Sequence, residues 1–96
     1  MVERTLLIKT RLGLHARAAA KLVRVASGFQ SQVQLSRIDG SLSADAKSIL
    51  SVLMLAAGCG TELQATADGI DEEAAIDAID QLFAEGFGEM EPESSI

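Results

Sequence analysis

Apolar and polar residues alternate along four short stretches of the chain, with the two-residue period of a β-strand that buries one face. The predicted strands cover residues 4–10, 32–36, 41–45 and 61–67. The residues predicted to face the core are Leu6, Ile8, Val33, Leu35, Leu42, Ala44, Leu63, Ala65 and Ala67. Asp39-Gly40, between the second and third strands, is a strong signal for a hairpin turn.

Three other segments repeat their apolar residues every three or four positions, as helices with one buried face do. The first two predicted helices cover residues 16–27 and 47–56. The third follows Asp71-Glu72-Glu73, acids that the positive end of a helix dipole favours. The apolar face of the first helix contains Ala19, Leu22, Val23 and Ala26, and that of the third contains Ala75, Ile79, Leu82 and Phe83.

The element order is therefore β-α-β-β-α-β-α. Strands that each bury a single face predict an α+β fold, an open-faced β-sandwich with a four-stranded antiparallel sheet covered on one face by three helices. We expect residues 1–88 to form one domain. Residues 89–96 are acidic and contain the single proline, so we expect a disordered tail there.

The composition indicates the compartment in which the protein works and the partners it is not expected to have. Cys59 is the single cysteine, which favours a reducing compartment, and the apolar runs are too short for a signal segment or a membrane span. We therefore expect a cytoplasmic monomer without membrane insertion. There is no Trp or Tyr to stack on bases, and the net charge is −6, so nucleic acid is not an expected partner.

The charges are divided between the two halves of the chain. Residues 1–47 carry all eight Lys and Arg against three acids, a net +5, whereas residues 48–96 carry eleven acids and no base, a net −11. The basic half could steer an acidic protein surface, or the two halves could simply attract each other.

The only histidine, His15, precedes the first predicted helix. Backbone N–H groups at a helix N-terminus lack intrahelical partners and favour an anion, so a phosphoryl group on the imidazole would sit in an anion site. Neutral imidazole is a nucleophile near pH 7. Arg17, Lys21 and Arg24 follow i, i+4, i+7 spacing and form a basic stripe on the helix face opposite the core. By position alone, an ordinary surface histidine is the simpler interpretation.

Two sequence motifs nevertheless favour a functional role for His15 over an ordinary surface histidine. Residues 13–23, Gly-Leu-His-Ala-Arg-Ala-Ala-Ala-Lys-Leu-Val, resemble the active-centre segment of the HPr family, the histidine-containing phosphocarriers of the bacterial phosphotransferase system. Residues 46–53, Ala-Lys-Ser-Ile-Leu-Ser-Val-Leu, resemble that family's regulatory-serine segment. The family's element order is also β-α-β-β-α-β-α, so the resemblance extends over nearly the whole chain.

The resemblance implies specific roles. His15 would take phosphate on Nδ1 from phosphorylated enzyme I, charged by phosphoenolpyruvate, and pass it to a histidine of an EIIA-type protein. Arg17 would assist electrostatically, and the amides of Ala16 and Arg17 would contact the phosphate. Such a chain is a stoichiometric relay rather than a free-standing enzyme, and it needs no cofactor or metal. The residues implied in partner docking are Lys21, Arg24, Ile49, Leu50 and Leu53.

The same resemblance implies that Ser48 is phosphorylated by an HPr kinase, which would place negative charge within the apolar docking patch. A serine near a helix start is also common for capping alone. Family members usually carry Pro where this chain has Ala18, so some rigidity is lost there without loss of a chemical group. A two-residue extension around residues 37–40 is not expected to touch the site.

Three other functions compete with the sugar-branch carrier. The closing segment, residues 82–89, is similar to that of nitrogen-branch regulatory carriers. An interaction module with an idle His15, or an unrelated ligand-binding domain, would require no phosphoryl transfer.

Two other kinds of site are less favoured by the residues. A Cys59–His15 dyad would need the two side chains to be adjacent, and one His with one Cys makes a zinc site improbable.

Overall fold

The computed structural model describes residues 1–88, which form a four-stranded antiparallel sheet with three α-helices on one face. The strands are β1 (Val2–Leu7), β2 (Gln32–Arg37), β3 (Ser43–Asp45) and β4 (Glu62–Asp68), in the sheet order β1-β4-β2-β3. The helices are α1 (Ala16–Ser27), α2 (Ile49–Met54) and α3 (Glu72–Ala84), and a short turn follows at Gly86–Gly88. The predicted fold class and element order are confirmed. The predicted disordered tail lies outside the described residues.

The core lies between the sheet and the helices. On β4, Leu63, Ala65 and Ala67 are all fully buried, and the predicted inward residues of β2 are buried with them. The polar residues between them, such as Gln64, lie on the other face of the sheet. The most deeply buried helical residues are Ala18, Ala19, Leu22, Ala26, Val52, Ala75, Ile76, Ile79 and Phe83.

The boundaries of β1, β3 and α2 differ from the predictions by two residues or more, and those of β2 and β4 by one. β1 ends at Leu7. Ile8 is still buried and is bonded to the segment after α2, because its N–H donates to Thr61 O and its carbonyl accepts from Gly60 N. β3 begins only at Ser43. Leu42 is therefore part of the hairpin loop and is 48% exposed, so its predicted place in the core was wrong.

α2 is shorter than predicted at both ends. Ser48 is its N-cap and Met54 its last residue, and the chain then turns through Ala56 at φ 51°. A left-handed residue after the last turn is a common way to end a helix, although glycine is the residue that usually adopts it. The segment after this turn, residues 57–61, returns the chain to the sheet beside Ile8.

Polar contacts of Arg4 and Asp71 are among those that join α3 to the rest of the fold. The Arg4 guanidinium on β1 contacts Asp80 at 2.6 Å and Asp77 at 3.0 Å. At the start of α3, the carboxylate of Asp71 accepts hydrogen bonds from the Ser31 hydroxyl and from the N–H groups of Gln30 and Ser31. The hydroxyl and these N–H groups hold the pKa of Asp71 below its usual value.

Candidate functional site

His15 is the N-cap of α1. Its backbone is extended, with φ −82° and ψ −177°, and its carbonyl accepts the first helical hydrogen bond, from Ala19 N at 2.8 Å. Its Nδ1 accepts a hydrogen bond from Arg17 N at 3.3 Å. The imidazole therefore occupies the position usually taken by Ser, Thr, Asp or Asn, with Nδ1 directed toward the N–H groups of the first turn.

The loop before His15 is held by the segment that follows α2. Leu14 is buried, and its N–H donates to Ala57 O at 2.9 Å. Gly13 adopts φ 69°, and a Cβ at this position would lie 2.6 Å from Ala57 O and 2.8 Å from Gly58 Cα. Residue 13 therefore has to be glycine for two separate reasons, its backbone conformation and the close approach of another backbone.

The basic stripe of α1 is only partly available to a partner. Arg17 and Arg24 are exposed. Lys21 is partly buried, and its Nζ donates to Phe87 O at 2.6 Å. Lys21 therefore ties α1 to the turn after α3. This structural role could not be predicted from the sequence, because Lys21 and Phe87 are 66 positions apart in the chain.

That turn is built from three consecutive left-handed residues. Gly86, Phe87 and Gly88 have φ values of 63°, 59° and 71°. The Phe87 ring is buried and packs against Phe83, with ring centroids 4.8 Å apart. Two glycines around an aromatic residue were the sequence signal for this turn, since glycine adopts positive φ without strain.

α2 lies beside α1 and presents an apolar surface. Ile49 is 44% exposed and Leu50 is 69% exposed, so both side chains are accessible. Leu53 is partly buried and packs against the core, so it offers less surface than these two. Met54, the last residue of α2, is 68% exposed and extends the patch.

Ser48 and Ala18 both belong to helix starts. The Ser48 hydroxyl accepts from Ser51 N at 3.3 Å and caps α2. α1 begins at Ala16, and Ala18 is buried in its first turn. Ala18 is the position at which the family that the sequence resembles usually carries proline.

Known proteins that are similar to this chain identify its family. Residues 2–85 match the family model PTS-HPr, described as the PTS HPr component phosphorylation site. The chain belongs to the HPr family of phosphocarrier proteins. It is 50% identical over 91 residues to "Phosphocarrier protein HPr" of Cupriavidus necator, covering 95% of this chain and 100% of that protein. It is 45% identical over 86 residues to "Phosphocarrier protein NPr" of Proteus mirabilis, covering 90% and 94%.

Solved structures agree with this assignment. The crystal structure of HPr-C-His from Thermoanaerobacter tengcongensis superposes with a TM-score of 0.88 at 40% identity, covering 95% of this chain and 100% of that one. The predicted open-faced fold and the phosphotransferase-system assignment are thereby confirmed.

A cleft of about 510 Å³ lies away from His15 and is lined by Leu7, Arg37, Ile38, Asp39, Gly60 and Glu62. Among residues 1–88, no group of three or more His, Cys, Asp and Glu residues is placed to hold a metal ion, and no helix is long and apolar enough to cross a membrane. Cys59 is exposed, and its Sγ lies 3.8 Å from Lys9 O. A surface site at a helix start suits transfer between two proteins better than binding of an enclosed small molecule.

Proposed function

We propose that His15 Nδ1 accepts a phosphoryl group from phosphorylated enzyme I, itself charged by phosphoenolpyruvate, and passes it to a histidine of an EIIA-type protein. The observation that carries this proposal is the hydrogen bond from Arg17 N to His15 Nδ1 at 3.3 Å. An accepting Nδ1 is unprotonated, and the proton of the neutral ring then lies on Nε2. No proton has to leave Nδ1 before it attacks phosphorus, but its lone pair must exchange the hydrogen bond from Arg17 N for the bond to phosphorus.

The transfer is a displacement at phosphorus. The bond from Nδ1 to phosphorus forms while the bond from phosphorus to the donor atom of enzyme I breaks, and its electron pair stays on that donor. The phosphoryl oxygens would then lie at the helix start, near the amides of Ala16 and Arg17, with the exposed Arg17 guanidinium adding positive charge. A helix terminus stabilises an anion by at most about 2 kcal/mol. This site therefore holds the group weakly enough to release it.

Partner docking would use the apolar patch of α2 together with the exposed bases of α1. Ile49 and Leu50 supply exposed apolar surface, and Arg17 and Arg24 supply positive charge beside it. An acidic partner surface with an apolar centre fits this combination. Leu53 and Lys21 would contribute at the margins, since each is also committed to a contact within the fold.

Phosphorylation of Ser48 by an HPr kinase would regulate this docking. Ser48 directly precedes Ile49 and Leu50, so a phosphate there adds charge within the patch and repels an acidic partner. Ser48→Asp tests this without removing the cap, because Asp is also a good N-cap residue. We expect weaker binding of enzyme I with an unchanged fold by circular dichroism, whereas Ser48→Thr should bind normally. Equal binding by the two variants would contradict the regulatory role.

A nitrogen-branch regulatory carrier is the second candidate. It is favoured by the similarity to the NPr protein of Proteus mirabilis and by the closing segment of the chain. The two branches are distinguished by which enzyme I paralogue phosphorylates the protein faster at equal concentrations. A preference for the nitrogen-related paralogue would replace the sugar-branch assignment.

The proposal also includes a monomer in the cytoplasm. The free thiol of Cys59 suits a reducing compartment. Sedimentation at micromolar concentrations should give the mass of one chain.

The test of the relay is incubation with phosphoenolpyruvate, Mg²⁺ and purified enzyme I, followed by intact mass measurement. We expect one added phosphoryl group on the protein and none on His15→Ala. If neither takes phosphate from an enzyme I that is active on another carrier, His15 is idle and the chain is an interaction module.

A further inference from the structure

We infer that Arg37, at the end of β2, is a positioning residue for His15, acting through the backbone segment between α2 and β4. This inference rests on the proposed function and deepens it. It assigns a role to a residue of the hairpin region, which sequence analysis expected to be separate from the site. No direct contact between Arg37 and the phosphoryl group is involved.

The first step is a clamp on the C-terminus of α2. Arg37 Nη2 donates to Leu55 O at 3.0 Å and to Ala56 O at 3.2 Å. Leu55 is the C-cap of α2 and Ala56 is the next residue, so a cation that binds both carbonyls fixes the direction in which the chain leaves the helix. Arg37 is itself fixed by the sheet, since it pairs with Leu63 of β4.

The second step joins this clamp to the active-centre loop. Ala57, the residue after the clamped carbonyls, accepts Leu14 N through its own carbonyl at 2.9 Å. Gly13 lies against the same carbonyl so closely that a Cβ would not fit. His15 N in turn donates to Gly13 O at 2.9 Å. The backbone on both sides of Leu14 is therefore in contact with a segment that Arg37 holds.

The clamp matters because the segment contains a strained residue and is anchored only in part by packing. Ala56 has φ 51°, a conformation that costs about 1–2 kcal/mol for a residue with a Cβ. Ala56, Gly58 and Cys59 are exposed, whereas Leu55 and Ala57 are buried, so packing anchors the segment at these two side chains while Arg37 binds its carbonyls. At its far end the segment is anchored by Gly60 N, which donates to Ile8 O at 2.8 Å. Without Arg37, the carbonyls of Leu55 and Ala56 lose their side-chain donor, and the backbone next to Ala57 is held by packing alone.

A shift of Ala57 would be transmitted to the orientation of Nδ1. Phosphoryl transfer requires the attacking nitrogen in line with the leaving atom, and small misplacements of a reacting group lower rates strongly. Docking depends on the exposed side chains of α1 and of the start of α2, whereas Arg37 binds carbonyls beyond the other end of α2. The expected effect is therefore on turnover rather than on affinity.

The experiment compares Arg37→Gln with Arg37→Lys and with Arg4→Gln as a matched control. Arg4 is another partly buried arginine that binds two oxygens, but its partners are on α3. We expect Arg37→Gln to lower kcat for phosphorylation by enzyme I by about three- to tenfold at unchanged KM. Arg37→Lys should restore most of the rate because one ammonium can reach two carbonyls. Arg4→Gln should lose stability without losing rate.

A spectroscopic readout separates this inference from the proposed function. In the unphosphorylated protein, Arg37→Gln should shift the ¹⁵N resonances of the His15 ring and of the Arg17 amide, and Arg4→Gln should not. Unchanged resonances in Arg37→Gln, or equal shifts in both variants at equal loss of stability, would overturn the positioning role. If the wild-type protein accepts no phosphoryl group, the proposed function fails, and the resonances still decide whether Arg37 positions His15.

Discussion

The backbone N–H of Arg17 points at Nδ1 of His15 across 3.3 Å. The same residue carries an exposed guanidinium, so Arg17 can contribute to the site through two groups. The amide orients the ring before the reaction. The guanidinium becomes useful only when phosphate is present, because it then pairs with a doubly charged group.

Replacing Arg17 by Gln should therefore reduce phosphorylation without disturbing the ring. A hydrogen bond to a charged group contributes about 1.5–3 kcal/mol, so the rate should fall about 10- to 100-fold. Arg17→Lys should lose less, and Arg24→Gln, two turns further along α1, should mainly weaken docking. Stopped-flow transfer from enzyme I measures the rates. A full rate in Arg17→Gln would mean that the amides alone stabilise the transferred group.

The close approach of Gly13 to Ala57 predicts a large loss of stability on substitution. Gly40 provides the control, because it has a similar φ of 76° but nothing within 4 Å of a Cβ. Gly40→Ala should cost about 1–2 kcal/mol from its left-handed backbone alone. Gly13→Ala should cost more than this in urea unfolding, since it adds a clash with backbone. Equal losses would show that the two segments can separate freely.

Lys21 should contribute to stability as well as to docking. Its ammonium is bonded to Phe87 O at 2.6 Å, and Lys21→Met removes that bond while keeping the apolar stem. The expected loss is about 1 kcal/mol in the free energy of unfolding. Arg24→Met, exposed on the same stripe, should leave stability nearly unchanged. The reverse order would indicate that the turn at Gly86–Gly88 is held without Lys21.

We expect protonation of the Asp71 carboxylate to lower the stability of the protein in acid. The Ser31 hydroxyl and the neighbouring N–H groups lower its pKa in the folded protein, so folding favours the ionised carboxylate. That contribution is complete above the unfolded pKa of about 3.9 and is lost as pH falls through the lower folded value. Melting temperatures measured from pH 6 down to pH 2.5 should therefore fall less steeply in Asp71→Asn than in the wild type. Glu73→Gln, an exposed acid in the same turn, serves as the control. Parallel curves for Asp71→Asn and the wild type would contradict this account.

Most of the fold was predictable because local pattern and tertiary burial agree. Leu63, Ala65 and Ala67 alternate in sequence and are buried in the sheet. Leu42 alternates equally well but is exposed, because turn geometry, not hydrophobic period, decides where β3 begins. The position of His15 before a helix could be predicted from the residues that follow it.

The contacts that complete the site could not be predicted in the same way. Arg37 with Leu55 and Lys21 with Phe87 are long-range pairs between a side chain and a carbonyl. A carbonyl carries no residue identity, so sequence shows no complementary partner for either base. Arg37 was expected only in a hairpin extension that does not touch the site, and Lys21 in a basic stripe. Their structural roles follow only from where α2 and α3 end.

The most direct test of the central claim is to determine which ring nitrogen carries the phosphoryl group. The ¹⁵N-labelled protein is phosphorylated with phosphoenolpyruvate and enzyme I, and the coupling of phosphorus to each His15 nitrogen is measured at alkaline pH, where the adduct lasts. The structure predicts coupling to Nδ1, the atom directed at Arg17 N, and none in His15→Ala. Coupling to Nε2, or no adduct on His15, would contradict the account.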